Sequence, residues 1–220
     1  MKVVTEAAPR RTRNRRGEGV LLADEILSAA AGVLEESGNE DAVSLRAVAR
    51  RAGISAPAIY AHFADREALL EAIVDEAFED LFTAVATARE ESRRRGASAT
   101  ERLRAVCAAY VNFADERPGR FRILFGRQRT SPESGIPKAD SVQTMIGGEA
   151  FSTLITGIEE CVAAGESTST DPLRDATALW VGLHGYATLR TTTPYFPWPT
   201  PDDMLHTLLS GAARVSELKP

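Results

Sequence analysis

The sequence predicts an all-α protein in which a small helical domain precedes a larger helical one. Apolar residues recur at helical spacing in nearly every segment between the Gly- and Pro-rich breaks, and no strand with a partner strand is evident. Two short helical segments near the amino terminus are joined by a tight turn that contains glycine. With 220 residues and a hydrophobic content of 44%, the chain can bury a sizeable core. We predict a flexible arm over residues 1–19, a helix-turn-helix domain over 20–66 and a larger helical domain over 67–220.

The amino-terminal arm is basic although the whole chain is acidic. Residues 1–17 contain six basic side chains and one acidic side chain, whereas the net charge of the chain is −5. Few apolar residues occur in the arm, which predicts disorder. The arm is either a solubilising tail or a segment that follows the backbone of DNA or enters its minor groove, and we favour the second interpretation. A basic arm on an acidic body suits nucleic-acid binding that is confined to one end of the protein.

The first predicted helix, over 20–36, supports the two short helices that follow it. One face of this helix carries Leu22, Ile26, Ala29, Ala30 and Val33. Ser37 and Gly38 are expected to end it.

The two short helices are predicted over 45–52 and 55–62. Gly53 can adopt the left-handed conformation that ends the first helix. Ser55 is expected to cap the second helix by accepting hydrogen bonds from free backbone amides with its hydroxyl. Pro57 fits the first turn, where no intrahelical N–H is needed.

The second short helix exposes a surface that suits DNA. Ile59 and Phe63 form an i,i+4 pair that faces the core, so the outward residues are Ser55, Ala56, Pro57, Tyr60 and His62. Small groups at the helix start permit close approach to a major groove, and Tyr and His can donate to flanking phosphates. An ordinary hairpin of a helical bundle is the alternative interpretation of the same pattern.

Several short motifs in this region together resemble one protein family. They are 44–49, Gly53-Ile54-Ser55, Ile59-Tyr60, His62-Phe63, Arg66-Glu67 and Leu69-Leu70. Over about residues 20–75, the chain resembles the amino-terminal DNA-binding domain of the tetracycline-repressor (TetR) family of bacterial transcriptional regulators. The resemblance implies phosphate contacts from Ser44, Tyr60, His62 and Arg66, and groove contacts from Arg46, Ser55, Ala56 and Pro57. Arg66 is a departure, because the family very often has lysine there, and arginine contacts a phosphate with a different geometry.

The larger domain is predicted to continue the helical pattern to the end of the chain. Its helices are expected over 65–95, 98–116, 121–125, 139–164, 172–191 and 201–217, with a loop over 126–138 and a proline-aromatic break over 191–201. Ser98 and Glu101 have the spacing of a capping box, and Asp171 and Thr200 each precede a proline in a first turn. The helix over 65–95 begins in the first domain and ends in the second, so it can transmit a displacement between them.

The sequence contains no signature of an enzyme. We find no GxGxxG, GxSxG, GKS, GKT or HExxH pattern, and the three histidines are dispersed. No pair of carboxylates lies in apolar sequence, as general acid-base catalysis would need. We therefore expect no enzymatic activity, no cofactor and no metal site. The alternatives are a helical-bundle enzyme and a protein-interaction module without DNA binding, although the second would leave the surface from Ser55 to His62 without a task.

The cysteines and the hydropathy pattern indicate a protein of the cytoplasm. Cys107 and Cys161 are far apart in the sequence and form no CxxC pair, so neither a zinc site nor a disulfide framework is indicated. No apolar run resembles a signal peptide or a membrane span.

The larger domain is expected to bind a small molecule between its helices. The candidate lining residues are Tyr110, Phe113, Phe121, Met145, Phe151, Trp180 and His184. Any one of these is more often a plain core residue. Trp180 and His184 are favoured because they lie i,i+4 on one face, and because a buried indole N–H and a buried imidazole each need a polar partner. Trp180 and His184-Gly185 also resemble a carboxy-terminal regulatory domain found in a subset of the family.

These patterns lead to one functional hypothesis, a ligand-responsive repressor that binds a palindromic DNA operator as a homodimer. The apolar lining suits a hydrophobic, aromatic effector. The helices over 172–191 and 201–217 of two subunits are expected to form a four-helix interface, because the last helix carries an apolar face at the end of the chain. Release and promotion of DNA binding by the effector are both compatible with the sequence.

Overall fold

The computed structural model of the protein describes residues 19–126 and 148–216, and their architecture is helical. The helices of these ranges are α1 (Gly19–Ser37), α2 (Leu45–Ala52), α3 (Ala56–Ile59), α4 (Arg66–Arg94), α5 (Ala99–Glu116), α6 (Pro118–Gly126), α7 (Gly148–Ala163), α8 (Pro172–Thr192) and α9 (Pro201–Gly211). Within the same ranges, the extended pairing is limited to one isolated bridge between Ser167 and Val215. The predicted all-α class is confirmed.

The chain divides into two compact units, one up to Ile73 and the other from Val74. The division falls inside α4, a helix of 29 residues that is about 44 Å long at 1.5 Å per residue. α4 therefore contributes its first turns to one unit and its remaining turns to the other.

The first unit packs α1 against α2 and α2 against α3 around a small apolar core. Its fully buried large side chains are Ile26, Ile59, Leu69, Leu70 and Ile73. Each such side chain contributes about 1.5–3 kcal/mol relative to an exposed one. This burial is essential, because helices as short as α2 and α3 are not stable alone in water.

Local residues set both ends of α2. Ser44 caps α2 by accepting a hydrogen bond from the Ala47 N–H at 3.2 Å. Gly53 ends α2 in the left-handed conformation, with φ of 67°. The prediction for Gly53 is confirmed, whereas the cap by Ser44 had not been predicted.

α3 is shorter than the sequence predicted. It ends at Ile59 instead of residue 62, and 60–62 form a turn. The amides of His62 and Phe63 both donate to the Ile59 carbonyl at 2.9 Å. The His62 bond spans three residues and the Phe63 bond spans four. The two amides share one acceptor, and no further i→i−4 bond extends the helix.

The predicted cap by the Ser55 hydroxyl is wrong. Ser55 stands at the N-cap position with an extended backbone, but its side chain makes no cap hydrogen bond. A cap accepts from the second or third amide of the helix. The second residue is Pro57, which has no N–H, and the third amide, of Ala58, donates to the Ser55 carbonyl at 2.9 Å.

The second unit is arranged around α5, which packs against α6, α7, α8 and α9. Its largest fully buried side chains are Leu81, Leu103, Ile158, Leu179, Leu183, Leu205 and Leu209. The predicted capping box at Ser98 and Glu101 is present, and so are the caps of α8 by Asp171 and of α9 by Thr200. The short helix predicted over 121–125 is also present within α6, which extends to Gly126.

α9 differs from the prediction in its length and in what covers its apolar face. It ends at Gly211, and residues 212–216 of the predicted extension are not helical. Leu205 and Leu209 are buried within the protomer. Gly182 of α8 permits close approach, since a Cβ there would strike Leu208. The apolar face of α9 is therefore covered by its own chain.

A polar cluster fastens the segment after α9 to the loop between α7 and α8. Ser169 donates to the buried Asp175 carboxylate at 2.7 Å, and Arg214 donates to the same oxygen at 3.1 Å. Burial alone would raise the pKa of Asp175, but the Ser169 hydroxyl and the charges of Arg214 and Arg174 lower it overall. The Ser167 hydroxyl adds a hydrogen bond to the Ala213 carbonyl at 2.8 Å.

Several expectations concern residues outside the described ranges. These are the arm over 1–19 apart from its last residue, the loop over 127–138, the first part of the helix predicted over 139–164, Met145, and 217–220. Both cysteines are buried and free. Among the described residues, no helix has the length and apolar content needed to span a bilayer, and no group of potential metal ligands is present.

Candidate functional site

The outward face of the first unit is formed by exposed side chains of α2, α3 and the turns beside them. We use this name for Ser44, Arg46, Arg50, Ser55, Pro57 and Tyr60, all of which are exposed. Ala56 and His62 lie half-buried beside them. Of the eight predicted DNA-contact residues, five are exposed and two are half-buried, and the eighth, Arg66, is engaged elsewhere.

The hydroxyl groups of this face are suited to an external partner. Ser55 Oγ has no cap hydrogen bond, because Pro57 and the Ser55 carbonyl leave it no amide to accept from. Ser44 Oγ accepts from the Ala47 amide and still has a hydrogen to donate. The Tyr60 side chain is 59% exposed. All three hydroxyls can therefore donate to phosphate oxygens or base edges.

The arginines of α2 fall into two groups. Arg46 and Arg50 are exposed and lie i,i+4, so both guanidinium groups project from one side of the helix. Arg51 instead pairs with Glu36 at 2.7 Å and lies over Gly32, where a Cβ would strike its guanidinium. Arg50 was not among the predicted contact residues, although its spacing from Arg46 could have indicated it.

Arg66 is bound to backbone carbonyls of its own unit. Its Nε donates to the Val43 carbonyl at 2.8 Å, and its Nη2 donates to the Glu40 carbonyl at 2.6 Å. The Asp41 carboxylate lies 3.8 Å from the same Nη2. The guanidinium therefore joins the first residue of α4 to the segment before α2.

The second unit contains a cluster of rings from α4, α5, α6, α7 and α8. We call the following residues the aromatic cluster: Phe78, Tyr110, Phe121, Phe125, Phe151, Trp180 and His184. Neighbouring ring centroids lie 4.5–6.2 Å apart, and the shortest separation joins Phe125 and His184. These separations are typical of edge-to-face and tilted aromatic contacts.

The polar groups of the aromatic cluster have partners within the protein. Tyr110 Oη and His184 Nδ1 are 3.1 Å apart, and Thr188 Oγ1 lies 3.4 Å from His184 Nε2. Burial lowers the pKa of His184, which favours the neutral imidazole. Burial raises the pKa of the Tyr110 hydroxyl above its ordinary value. The cluster therefore combines an uncharged apolar surface with one hydrogen-bonded pair.

The structure brings together five of the seven predicted lining residues. Phe113 is buried, but its ring contacts the Arg117 guanidinium, 5.6 Å from the centroid. Met145 lies outside the described residues. Phe78 and Phe125 were missed, and the i,i+4 spacing of Phe121 and Phe125 was the available signal.

Comparisons with known proteins agree with this arrangement. Residues 26–73 match the sequence profile described as bacterial regulatory proteins, tetR family. Residues 103–211 match the profile described as tetracyclin repressor-like, C-terminal domain. Together the two matches span most of the chain and both of its compact units.

Curated relatives match part of the chain. The HTH-type transcriptional regulator Rv1816 of Mycobacterium tuberculosis is 28% identical over 129 residues, 59% of this chain and 53% of the relative. The nucleoid occlusion factor SlmA of Vibrio vulnificus is 28% identical over 103 residues, 47% of this chain and 50% of the relative. The chain thus spans about half the length of the curated relatives it matches.

Solved structures match nearly the whole fold. A protein of unknown function from Rhodococcus sp. RHA1 has a TM-score of 0.71 at 29% identity, covering 88% of this chain and 94% of the other. A tetR-family regulatory protein from Rhodococcus RHA1 has a TM-score of 0.64 at 22% identity, covering 89% and 98%. FadR of Bacillus subtilis, solved with stearoyl-CoA, has a TM-score of 0.66 at 18% identity, covering 86% and 98%. Because both compact units match profiles of one family, the chain belongs to the tetracycline-repressor family of bacterial regulatory proteins.

Proposed function

We propose that the protein is a ligand-responsive repressor of the cytoplasm that binds a palindromic operator as a homodimer. Residues 20–66 serve as its DNA-binding domain and 67–220 as its regulatory and dimerisation domain, and the basic arm over 1–19 adds contacts with the DNA backbone or minor groove. The observation that supports this proposal best is the outward face, where hydroxyl and guanidinium groups surround a helix start that carries small residues. Such a surface is fitted to a major groove.

The DNA-binding part of the proposal is tested by selection. Duplexes retained by the wild-type protein from a random-sequence pool should contain two related half-sites whose centres lie about 34 Å apart, one helical turn of DNA. Binding to such a duplex should weaken steeply as salt concentration rises, because neutralised phosphates release counterions. A protein that retained no duplex at any salt concentration would contradict the proposal.

We propose that α8 supplies much of the dimer interface. Val181 is 60% exposed and Leu189 is 48% exposed. Gly185 lies between them, and a Cβ added there would meet nothing within 4 Å. A helix face of small and apolar residues permits close approach of a second helix. The exposed residues of α9, His206, Thr207 and Ser210 among them, would contribute the polar margin.

The assembly is tested by placing a charge on this face. Gly185→Glu should convert dimers to monomers, because the protomer has room for the side chain but a close interface does not. Asn112→Glu, at an exposed position of α5, is the matched control and should stay dimeric. Sedimentation at micromolar concentration distinguishes the two states. Monomeric wild-type protein, or a dimeric Gly185→Glu variant, would count against this interface.

We propose that the effector binds at the aromatic cluster. The rings offer an apolar surface, and the pair of Tyr110 and His184 offers one polar group, so a hydrophobic, aromatic compound suits the site best. α6 joins this surface to α4 in two ways. Phe125 contacts Phe78 of α4 with ring centroids 6.0 Å apart, and Arg117, the residue directly before α6, pairs with Asp80 of α4 at 2.7 Å.

These contacts support a route for the switch. A ligand that separates the rings would displace α6, and the ion pair and the Phe78 contact would carry the displacement to α4. Arg120 of α6 strengthens the link by pairing with Asp80 as well. The ligand changes DNA affinity only if it favours one position of α4 over another.

The effector site is tested with a panel of uncharged aromatic compounds of graded size. A Trp198→Phe variant leaves Trp180 as the single tryptophan, so quenching of its fluorescence reports on the cluster. A compound that binds there should quench this fluorescence and shift affinity for the selected duplex over the same concentration range. A compound that shifts affinity equally in wild-type, Trp180→Ala and His184→Ala proteins would place the effector site elsewhere.

A further inference from the structure

We propose that Arg66 is a positioning residue that locks the start of α4 to the segment before α2, and that it does not bind a DNA phosphate. The inference rests on DNA binding by the first unit. It changes the role that the family resemblance implied for this residue.

The hydrogen bonds of Arg66 cross a long stretch of chain. Arg66 is separated by 23 residues from Val43 and by 26 residues from Glu40, and it donates to the carbonyls of both. Val43 is completely buried and ends the 3₁₀ turn over Glu40–Ala42. Its amide donates to the Glu40 carbonyl at 3.0 Å, so the guanidinium and the turn share that acceptor. Arg66 therefore adds two hydrogen bonds from a distant part of the chain to this turn.

The fixed turn leads directly into the outward face. Ser44 follows Val43 and caps α2 through the Ala47 amide. Its own amide donates to the Ala42 carbonyl at 3.0 Å, inside the turn that Arg66 holds. The position of the Ser44 hydroxyl and the direction of α2, which carries Arg46 and Arg50, are thus set in part by the Arg66 guanidinium.

The surroundings of Arg66 oppose a phosphate contact. Only 37% of its side chain is exposed, and two of its donors already point at carbonyls. The Asp41 carboxylate, 3.8 Å from Nη2, would repel an approaching phosphate. Arginine suits this role because its planar guanidinium presents several donors in a fixed geometry, whereas the single ammonium of lysine cannot reproduce the paired contacts of Nε and Nη2.

The dependence of binding on salt separates the two roles. A plot of log Ka against log salt concentration has a negative slope. Its steepness decreases by about 0.9 for each phosphate contact that is lost. A positioning residue changes Ka without changing this slope. We therefore compare wild-type, Arg66→Ala, Arg66→Lys and Arg50→Ala proteins on one duplex selected by the wild-type protein.

We expect Arg66→Ala and Arg66→Lys both to lower Ka, on the order of tenfold, with the wild-type slope. Arg50→Ala is the matched control and should make the slope less steep by about 0.9 per protomer. A reduced slope in Arg66→Ala that Arg66→Lys restores would overturn the inference, and so would wild-type affinity in both Arg66 variants.

Amide hydrogen exchange without DNA provides a second test, which Arg66→Lys allows even if Arg66→Ala does not fold. The Val43 and Ser44 amides donate within the turn, so they should exchange faster in Arg66→Lys than in wild type, while the Ala30 amide inside α1 should be unchanged. Unchanged exchange rates of the Val43 and Ser44 amides would overturn the positioning role of Arg66. A wild-type protein that bound no duplex would instead contradict the proposed operator binding, and the exchange result would still decide the role of Arg66.

Discussion

The outward face and the aromatic cluster each contain tyrosine and hydroxyl groups, but the two regions use them differently. Tyr60 is 59% exposed, whereas Tyr110 is 6% exposed and is hydrogen-bonded to His184. Ser55 has no cap partner, whereas Thr188 contacts the imidazole of His184. Residue type alone therefore does not reveal a contact site. A group is available to an external partner when local backbone chemistry leaves it without an internal one.

We expect the largest effect on DNA affinity from the exposed arginines of α2, and it tests whether the outward face contacts DNA. The double variant Arg46→Ala/Arg50→Ala should lower affinity for a selected duplex on the order of a hundredfold and reduce its dependence on salt, because both cations face outward. Its free energy of unfolding should stay near the wild-type value, since neither side chain is buried. Salt titrations followed by fluorescence anisotropy provide the measurement. Unchanged affinity would show that this side of α2 does not approach DNA.

The same chemical change in the two tyrosines should have opposite consequences. Tyr110→Phe removes the partner of a half-buried imidazole nitrogen and should lower the free energy of unfolding by about 1 kcal/mol. Tyr60→Phe should leave stability unchanged and weaken binding to all duplexes to a similar extent, as expected for a phosphate contact. Urea unfolding and DNA titration of both variants test this pair. The comparison fails if Tyr60→Phe is the less stable protein.

A smaller effect is expected from Pro57→Ala. Alanine restores an N–H at the second position of α3, and this amide can donate to the Ser55 hydroxyl and cap the helix. The cap would draw Ser55 away from DNA, so we expect a few-fold loss of affinity and a change in preferred sequence, with equal or higher stability. Selection from a random pool with each protein measures the preference. Identical selected sequences would show that Ser55 and Pro57 do not contact bases.

The smallest effect concerns pH and the aromatic cluster. Burial lowers the pKa of His184 in the folded protein, whereas an unfolded histidine titrates near about 6.5. Just below this pH, the unfolded chain therefore binds more protons than the folded protein. The contribution of His184 to the free energy of unfolding is complete above about pH 6.5, and it is lost as the pH falls toward the lowered pKa. Wild type should lose more stability than His184→Gln between about pH 7 and pH 5.5. Equal losses, measured by urea unfolding, would show that His184 does not titrate in this way.

Much of the secondary structure could be predicted because helix ends have local causes. The left-handed Gly53, the capping box at Ser98 and the proline that follows Thr200 act through neighbouring residues, so the sequence contains the information. The end of α3 could not be predicted in this way. There, two amides share the Ile59 carbonyl, and the residue that carries one of them, Phe63, is buried in the core of the first unit.

The parts of the sites that escaped prediction depend on contacts between distant residues. Arg66 binds carbonyls more than twenty residues away, and Phe78 joins the rings of α6 only when α4 lies beside that helix. The packing of Leu208 against α8 depends on Gly182, because a Cβ there would strike its side chain. Helical spacing identifies an apolar face, but it does not identify the element that covers this face.

The cluster around Asp175 has a practical consequence for anyone who tags or shortens this protein. Truncation after Gly211 would remove Arg214 and leave a buried carboxylate with less compensation, so the shortened chain should express poorly for reasons unrelated to DNA or effector. A reporter fused beyond Ser216 keeps both Arg214 and the bridge at Val215. Fusions for imaging or purification should therefore begin after that residue, with a flexible linker between them and the folded unit.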